Sequence, residues 1–286
     1  MPVSPFTLDM PSSQTTSVVF ASPHSGRYYS KEFMAQSVLD ETTIRSSEDA
    51  FIDKLVGCAP DHGAPFIHAT YPRAFLDLNR ASDEMDPAVV ENVRSVAHNP
   101  RILSGLGVIP RVVSNGRAIY RGKLPLTQAK ARIEDVWRPY HTRLQDVLDD
   151  TRSQFGEAVL IDVHSMPHEA SDGISQVNFT RPEVVLGDRF GASADGDIVE
   201  RIETVFLNAG LKVSRNTPFA GAYIVQQYGR PSRRQHAVQI EIDRSLYMNE
   251  RHIRPNSNFG AFQKLMAQVV CELSDIGRKT LPLAAE

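Results

Sequence analysis

The sequence contains only two cysteines among 286 residues, Cys58 and Cys271, with no Cys-x-x-Cys pair. This excludes a disulfide framework and a cysteine-based zinc site, so any metal ligands must be histidines and carboxylates. No apolar run approaches the length that spans a bilayer, and the first ten residues lack the basic and apolar regions of a signal peptide. We therefore expect a cytoplasmic protein.

The chain also lacks a marked excess of either charge, since 31 basic and 34 acidic residues give a formal net charge of −3. It is not rich enough in Lys and Arg to indicate binding to a nucleic-acid backbone or an anionic membrane. A hydrophobic fraction of 41% and a charged fraction of 23% are ordinary for a globular protein. We expect a small-molecule partner, and neither a nucleic acid nor a membrane.

Strand-like and helix-like segments alternate along the sequence, which is typical of α/β proteins. The predicted strands cover residues 17–22, 65–70, 158–163, 211–214 and 236–242, and the predicted helices cover 42–59, 127–155, 198–208 and 258–276. Pro139 predicts a kink in the longest helix, and Gly156 predicts its end. We predict a single three-layer domain over residues 1–286, with a mixed, mostly parallel sheet and helices on both faces.

Two histidines follow apolar strand-like runs. His24 comes after residues 17–22 and precedes Ser25-Gly26, and His164 directly follows residues 158–163. Because ligands of open α/β sheets bind outside the carboxyl ends of the strands, both imidazoles are expected in one crevice. A neutral imidazole is a good zinc ligand. Taken alone, however, His24 is better explained as a turn residue bonded to nearby backbone.

Asp162 interrupts the apolar run that leads to His164. Side chains alternate along a strand, so Asp162 and His164 are predicted to share a face. A carboxylate in a buried run needs a partner, and orienting an imidazole or receiving a proton would provide one. The alternative is an ion pair between Asp162 and a structural arginine.

The adjacent acids Glu48 and Asp49 fall within the predicted helix 42–59. Neighbouring residues of a helix point about 100° apart, so at most one of the two is expected to bind a metal. Glu48 lies four residues from both Ile44 and Ile52, within the apolar stripe, whereas Asp49 lies on the more polar side. This favours Glu48 as a ligand, with a buried salt bridge to an arginine as the alternative.

The segment from Arg73 to Arg80 carries two arginines together with Asp77 and Asn79. Arginine offers a rigid fork that matches a carboxylate through two parallel hydrogen bonds, and Asn79 adds a neutral donor. Because Arg73 and Arg80 stand apart, each could bind a different carboxylate. Without the histidines, a surface loop of ion pairs would be the better explanation.

Glu241 alternates with isoleucines in the predicted strand 236–242, on the same face as Gln239 and Asp243. Such alternation is typical of a half-solvated strand, which is the simpler interpretation. Metal-assisted hydrolysis of an amide also requires a general base, and a glutamate beside the metal can serve as one.

Together these clusters resemble the N-formylglutamate amidohydrolase family over about residues 18–247. The resemblance rests on Pro23-His24-Ser25-Gly26, Glu48-Asp49 with Asp53, Arg73 with Asp77-Leu78-Asn79-Arg80, Asp162-Val163-His164-Ser165, and residues 239–247. The sequence is also similar to the broader zinc carboxypeptidase and aspartoacylase group, which implies a zinc-exopeptidase-like fold.

The resemblance implies a role for each cluster. The implied zinc ligands are His24, Glu48 and His164, the implied carboxylate clamp is Asn79 with Arg80, and the implied general base is Glu241. In the carboxypeptidase group a glutamate follows the first histidine by three positions, but here Arg27 takes that position. The third ligand must therefore come from elsewhere, with Glu48 first and Asp49 second.

The implied activity is zinc-dependent removal of a formyl or other small acyl group from an acidic amino acid. In the family the products are glutamate and formate, as in histidine degradation. Another divalent ion could replace zinc, because His and carboxylate ligands accept several. Two alternatives are a related zinc deacylase or carboxypeptidase for another N-acyl amino acid, and a metal-free binding protein that has lost turnover.

Overall fold

The computed structural model describes residues 3–94, 99–174 and 181–278, and within them no helix is long and apolar enough to cross a membrane. The strands β1 to β9 are Phe6–Asp9, Val18–Ser22, Phe66–Ala69, Ala158–Met166, Val184–Gly187, Val213–Arg215, Gln235–Asp243, Met248–Asn249 and Arg254–Pro255. The helices α1 to α9 are Lys31–Gln36, Glu41–Ile44, Ile52–Val56, Pro100–Leu103, Leu126–Arg132, Arg138–Phe155, Gly196–Asn208, Tyr223–Tyr228 and Phe259–Asp275.

Seven strands form one sheet in the order β1-β3-β2-β4-β7-β5-β6. Four of the six neighbouring pairs are parallel, and the β1–β3 and β5–β7 pairs are antiparallel. The longest pairing joins β4 to β7 in register from Ala158↔Gln235 to Met166↔Asp243. The prediction of a mixed, mostly parallel sheet is confirmed.

Each face of this sheet has its own hydrophobic core, because successive strand residues point to opposite sides. In β2, Val18 and Phe20 pack with helices α3, α7 and α9. Val19 and Ala21 pack with α5, α6 and α8 on the other face. The predicted layer of helices on each face is therefore confirmed.

The predicted helix 127–155 is present, but a π-helical turn at Ile133–Trp137 separates α5 from α6. In this turn the Arg138 N–H donates to Ile133 O, and Pro139 follows without any N–H to donate. Gly156 ends α6 in the left-handed conformation at φ 78°, as predicted.

The predicted helix 42–59 is wrong. Helix α2 ends at Ile44, a 3-10 turn covers Arg45–Ser47, and Glu48 is extended at φ −65° and ψ 142°. The chain becomes helical again only at α3, after Phe51 adopts a left-handed conformation at φ 69°. Because Glu48 lies outside any helix, the helical-stripe argument that selected it does not apply.

Candidate metal centre

The two histidines and Asp49 converge near the carboxyl ends of the parallel strands β2 and β4. His24 lies two residues beyond β2, whereas His164 lies within β4 rather than just past it. The Asp49 backbone N–H donates to His24 O at 3.0 Å, which ties the segment carrying Asp49 to the turn after β2. All three side chains are buried, and the ring centroids of His24 and His164 are 4.7 Å apart, so the two histidines lie in one crevice as predicted.

Three donor atoms of this group face one another: His24 Nδ1, His164 Nδ1 and one carboxylate oxygen, Asp49 Oδ2. The Nδ1 atoms are 3.1 Å apart, and Asp49 Oδ2 lies 3.0 Å from His164 Nδ1 and 3.4 Å from His24 Nδ1. A tetrahedral ion with bonds of roughly 2.0–2.1 Å separates its ligands by about 3.3 Å. The donor set and its spacing therefore fit a divalent metal ion.

The other nitrogen of each ring is held by a carboxylate. His24 Nε2 lies 2.7 Å from Asp77 Oδ1, and His164 Nε2 lies 3.0 Å from Asp162 Oδ2. A carboxylate behind an imidazole fixes the tautomer that leaves the opposite nitrogen free to bind a metal. Asp162 thus contacts an imidazole nitrogen, which is the position that its predicted orienting role requires.

Two buried side chains, Arg244 and Ser165, hold Asp49 in addition to its backbone bond to His24. Its Oδ1 accepts from Arg244 at 3.1 Å and from Ser165 Oγ at 3.1 Å, so Oδ2 is left to face the histidines. Burial alone would raise the pKa of Asp49, but hydrogen bonds from His164 and His24 hold it well below its usual range. Asp49 is therefore a carboxylate, the form that binds metal.

Glu48 does not reach this group, which corrects its assignment as the third ligand. Its carboxylate is buried and pairs with Arg45, at 2.9 Å from Nε to Oε1 and 3.1 Å from Nη2 to Oε2. Adjacent residues of an extended segment point to opposite sides, so Asp49 faces the histidines while Glu48 faces away. Glu48 forms a salt bridge with an arginine, which was the alternative to a ligand role in the sequence analysis.

Glu241 lies beside His164 on the neighbouring strand, because the β4–β7 register pairs these two residues. Burial raises the pKa of Glu241 to about 7. Gln239 Nε2 donates to Glu241 Oε1 at 2.8 Å. Gln239 and Asp243 are buried, so the face they share with Glu241 is not the half-solvated surface that alternation alone predicts.

The other predicted polar residues lie around the same site. Arg73 Nε donates to Asp77 Oδ2 at 2.9 Å. Arg80 is buried and donates to the backbone oxygens of Leu106 and Asn79, at 2.8 and 2.6 Å. These arginines are held by groups of the protein, and neither forms a surface ion-pair loop.

Both polar atoms of the Asn79 side chain form hydrogen bonds within the protein. Its Oδ1 accepts from the Ile224 backbone N–H at 2.8 Å, and its Nδ2 donates to Gln239 Oε1 at 3.3 Å. The amide therefore connects the first turn of α8 to strand β7. This geometry gives Asn79 a part in holding the site together. Its role in the carboxylate clamp stays a prediction, since Asn79 also lines the cavity.

A cavity of about 700 Å³ opens onto this centre. Its wall includes the proposed ligands and polar groups already described: His24, Asp49, His164, Glu241, Arg73, Asn79, Arg80, Gln239 and Arg244. The wall also includes the segment 218–222, several residues between positions 101 and 116, and Ser46, Ser47, Ala74, Ser165, Met166 and Pro167. Asp162 and Glu48 do not line it, consistent with a supporting role for Asp162.

Asp77, Gln239 and Arg244 also belong to the site, although no role was predicted for any of them. Asp77 holds both His24 and Arg73, and Arg244 holds Asp49. The available signal was their position beside assigned residues, since Asp77 precedes Asn79 by two and Gln239 shares a strand face with Glu241. Which partner each would meet depends on segments far away in the chain.

Residues 16–248 match the family model described as N-formylglutamate amidohydrolase. The N-formylglutamate deformylases of Pseudomonas putida and Pseudomonas aeruginosa are 32% and 31% identical to this chain over 240 and 241 residues. The alignments cover 82% of this chain and 82% and 83% of the two relatives. These findings confirm the resemblance inferred from the sequence.

Solved structures agree with this result. The crystal structure of N-formylglutamate amidohydrolase from Ralstonia eutropha JMP134 has a TM-score of 0.89 and 32% identity, covering 96% of this chain and 98% of that one. A gene product of Agrobacterium tumefaciens has a TM-score of 0.60 and 16% identity, covering 93% of this chain and 95% of its own. At that identity the second likeness concerns the fold alone.

Proposed function

The chain belongs to the N-formylglutamate amidohydrolase family, and we propose that it hydrolyses N-formyl-L-glutamate to L-glutamate and formate. The observation that supports this most strongly is the convergence of His24, Asp49 and His164 next to Glu241 in one cavity. The arginines in the cavity wall match a substrate with two carboxylates. Amide hydrolysis needs an activated water, a base and a means of holding the substrate, and each has a candidate here.

The proposed cofactor is a divalent metal ion, with zinc as the first choice, held by His24, Asp49 and His164. When bound, such an ion would activate water and polarise the substrate carbonyl as a Lewis acid. Support comes from the donor set of two imidazole nitrogens and one carboxylate oxygen, all within 4.8 Å of one another. Asp77 and Asp162 supply the carboxylates that orient ligand histidines.

Glu241 is the proposed general base. Its carboxylate accepts a proton from the attacking water, whose oxygen forms a bond to the formyl carbon. As the bond between the formyl carbon and the amide nitrogen breaks, Glu241 returns that proton to the leaving nitrogen. A carboxyl whose pKa lies near 7 can both accept and return a proton at neutral pH.

Arg73 and Arg80 are the proposed binding groups for the two substrate carboxylates. Among the described residues, both terminal nitrogens of Arg73 and one of Arg80 have no hydrogen-bond partner, so each guanidinium keeps donors for a ligand. Their bonds to Asp77 and to backbone oxygens fix the guanidinium groups before substrate arrives, which reduces the entropy lost on binding.

Three further proposals concern location, partners and domain organisation. We place the protein in the cytoplasm. The low net charge of −3 favours a small molecule as its partner over a nucleic acid or an anionic membrane. We also keep residues 1–286 as a single domain, because one sheet carries the cores on both its faces.

The test is formate release from N-formyl-L-glutamate by metal-reconstituted protein. We expect release by the wild type, and loss of release after chelation and in His164→Ala. His62→Ala is the matched control, because His62 ends a 3-10 turn and does not line the cavity. Bound metal without formate release would indicate a different N-acyl amino acid as substrate. Absence of both metal and release would favour the metal-free binding protein.

A further inference from the structure

Gln239 lies at the centre of a chain of hydrogen bonds that ends on Glu241. Its Oε1 accepts from the Ala222 backbone N–H at 3.0 Å and from Asn79 Nδ2 at 3.3 Å. Its Nε2 donates to Glu241 Oε1 at 2.8 Å. Gln239 is buried, so each of these polar atoms depends on its protein partners for hydrogen bonding.

The direction of this chain is fixed by two backbone N–H groups at the start of α8. Ile224 N–H can only donate, so the Asn79 atom that faces it must be Oδ1, and Nδ2 must point to Gln239. Ala222 N–H likewise requires Oε1 of Gln239 on its side. The remaining Gln239 atom, Nε2, is a donor, and it faces Glu241.

On this geometry, and resting on the proposed function, we propose that Gln239 is a positioning residue for Glu241. The amide holds Oε1 of the carboxylate at one fixed point through a donated hydrogen bond. The other oxygen, Oε2, is thereby turned to accept the proton of the attacking water. A donor to the ionised carboxylate also favours its charged form, the form in which a general base acts.

A purely structural role for Gln239 would need only its acceptor, which satisfies the Ala222 N–H. Gln235 provides the comparison, because it lies four residues earlier on the same face of β7 and is also buried. Gln235 Nε2 donates to a backbone carbonyl, Tyr228 O, at 2.7 Å, and Gln235 does not line the cavity. The two glutamines thus share a strand, a face and a depth, but only one contacts the base.

The test compares Gln239→Leu and Gln239→Glu with Gln235→Leu in the metal-loaded enzyme. For both Gln239 variants we expect kcat to fall by at least about tenfold with KM changed by less than about threefold, as for loss of an interaction made in the transition state. Gln239→Glu keeps an acceptor for the Ala222 N–H, so its loss of rate would not come from an unpaired backbone group. Gln235→Leu should keep kcat within about threefold of wild type, as expected when the base keeps its donor.

The acid limb of the pH profile separates positioning from general destabilisation. Loss of the donor to Glu241 should move this limb upward by about half to one pH unit in Gln239→Leu. The acid limb should stay at its wild-type pH in Gln235→Leu, even if this variant loses as much thermal stability as Gln239→Leu does. Equal effects of Gln239→Leu and Gln235→Leu, or an unmoved limb in Gln239→Leu, would overturn the proposal.

A readout without substrate keeps this inference separate from the proposed reaction. In protein labelled with ¹³C at the glutamate side-chain carboxyl, the Glu241 resonance is identified by its absence in Glu241→Gln. Its titration midpoint should rise in Gln239→Leu and stay unchanged in Gln235→Leu, whichever amide is hydrolysed. No formate release with a shifted midpoint would refute only the proposed substrate, whereas formate release with an unshifted midpoint would refute the role of Gln239.

Discussion

At the scale of single residues, the metal centre depends on which of two adjacent carboxylates faces the histidines. Asp49 Oδ2 lies 3.0 Å from His164 Nδ1, whereas Glu48 is paired with Arg45. The two acids are both buried and differ chiefly in direction. The local backbone decides which way each side chain points. Variants of Glu48 and Asp49 therefore test whether Asp49 is the third ligand.

We predict that Asp49→Asn weakens metal binding by on the order of 100-fold or more, since a direct ligand should matter at least as much as its supporting residues. Glu48→Gln should bind metal as tightly as wild type, because its carboxylate contacts Arg45. Metal content after equilibrium dialysis against buffered zinc measures both. Retention of metal by Asp49→Asn together with its loss from Glu48→Gln would restore Glu48 as the ligand.

The second residue-scale prediction concerns pH. Burial raises the pKa of Glu241 to about 7, so its base form is lost as pH falls and the rate should drop about tenfold per pH unit on the acid side. A bound cation lowers the pKa of a nearby carboxyl, so the limb of the metal-loaded enzyme should lie below pH 7. We expect Glu241→Gln to reduce kcat by roughly 10²–10⁴-fold while metal is retained.

The pH profile of kcat/KM, with metal content measured at each pH, checks this expectation. An acid limb that coincides with loss of metal would show that ligand protonation, and not Glu241, controls the rate. The sign for stability is the opposite of that for activity. A pKa raised from 4.5 to about 7 by folding stabilises metal-free protein at low pH, and this contribution is lost as pH rises through about 7.

Part of this site could be predicted from the sequence. His24, His164 and Glu241 could be placed because strand ends and strand faces follow from apolar patterns. Asp49 could not be separated from Glu48, because that choice depends on a break in helical backbone at Glu48. Partners could not be predicted for Asp77 and Gln239. Asp77 contacts His24, which is 53 residues away in the sequence, and Gln239 contacts Asn79, which is 160 residues away.

At the scale of elements, the turn that follows β2 places His24 against its neighbours. A Cβ atom at Gly26 would lie 2.1 Å from Tyr71 O and 2.6 Å from Tyr71 C, so the backbone of this turn touches the segment after β3. Backbone atoms cannot move aside as a flexible side chain does. Gly26 thus allows the close approach of the two segments that carry His24 and Arg73.

We predict that Gly26→Ala destabilises the protein by about 1–3 kcal/mol and weakens metal binding, because overpacking displaces the turn that carries His24. Gly196→Ala is the control, since Gly196 is the first residue of α7 and nothing lies within 4 Å of a Cβ built there. That change should be neutral or stabilising by up to about 1 kcal/mol. Urea unfolding measures the stability of both variants, and zinc titration measures their metal affinity. Equal metal affinities would contradict the proposal that this turn positions His24.

Long elements were also easier to predict than short ones. The stretches that became α6, α7, α9, β4 and β7 have clear apolar periodicity, and they match their predicted positions closely. Short strands were predicted less evenly. The strand β3 was expected, whereas β1 and β5, also of four residues, were not, because so short a run takes its structure from the strands it pairs with. In residues 42–59 the apolar spacing is helical, but the left-handed Phe51 interrupts the helix.

At the scale of the whole molecule, the three proposed ligands come from three separate parts of the fold. His24 follows β2, Asp49 precedes α3, and His164 lies in β4. These parts also contribute to both cores of the sheet. A metal ion bound at this point would therefore add a further link between segments that the sheet, its packing and the hydrogen bonds of Asp49 already join.

A ligand that binds the folded chain and not the unfolded one stabilises it by RT ln(1 + [L]/Kd), which is about 2.7 kcal/mol at a free metal concentration one hundred times Kd. We therefore predict that the melting temperature rises steadily with free zinc and falls on chelation. Asp49→Asn should melt at a temperature independent of zinc over the same range, while Glu48→Gln should follow wild type. A zinc-independent melting temperature in wild type, or a zinc-dependent one in Asp49→Asn, would mean that these three residues do not form the metal site. Because unfolding exposes all three ligands together, this measurement tests the site without assuming any substrate.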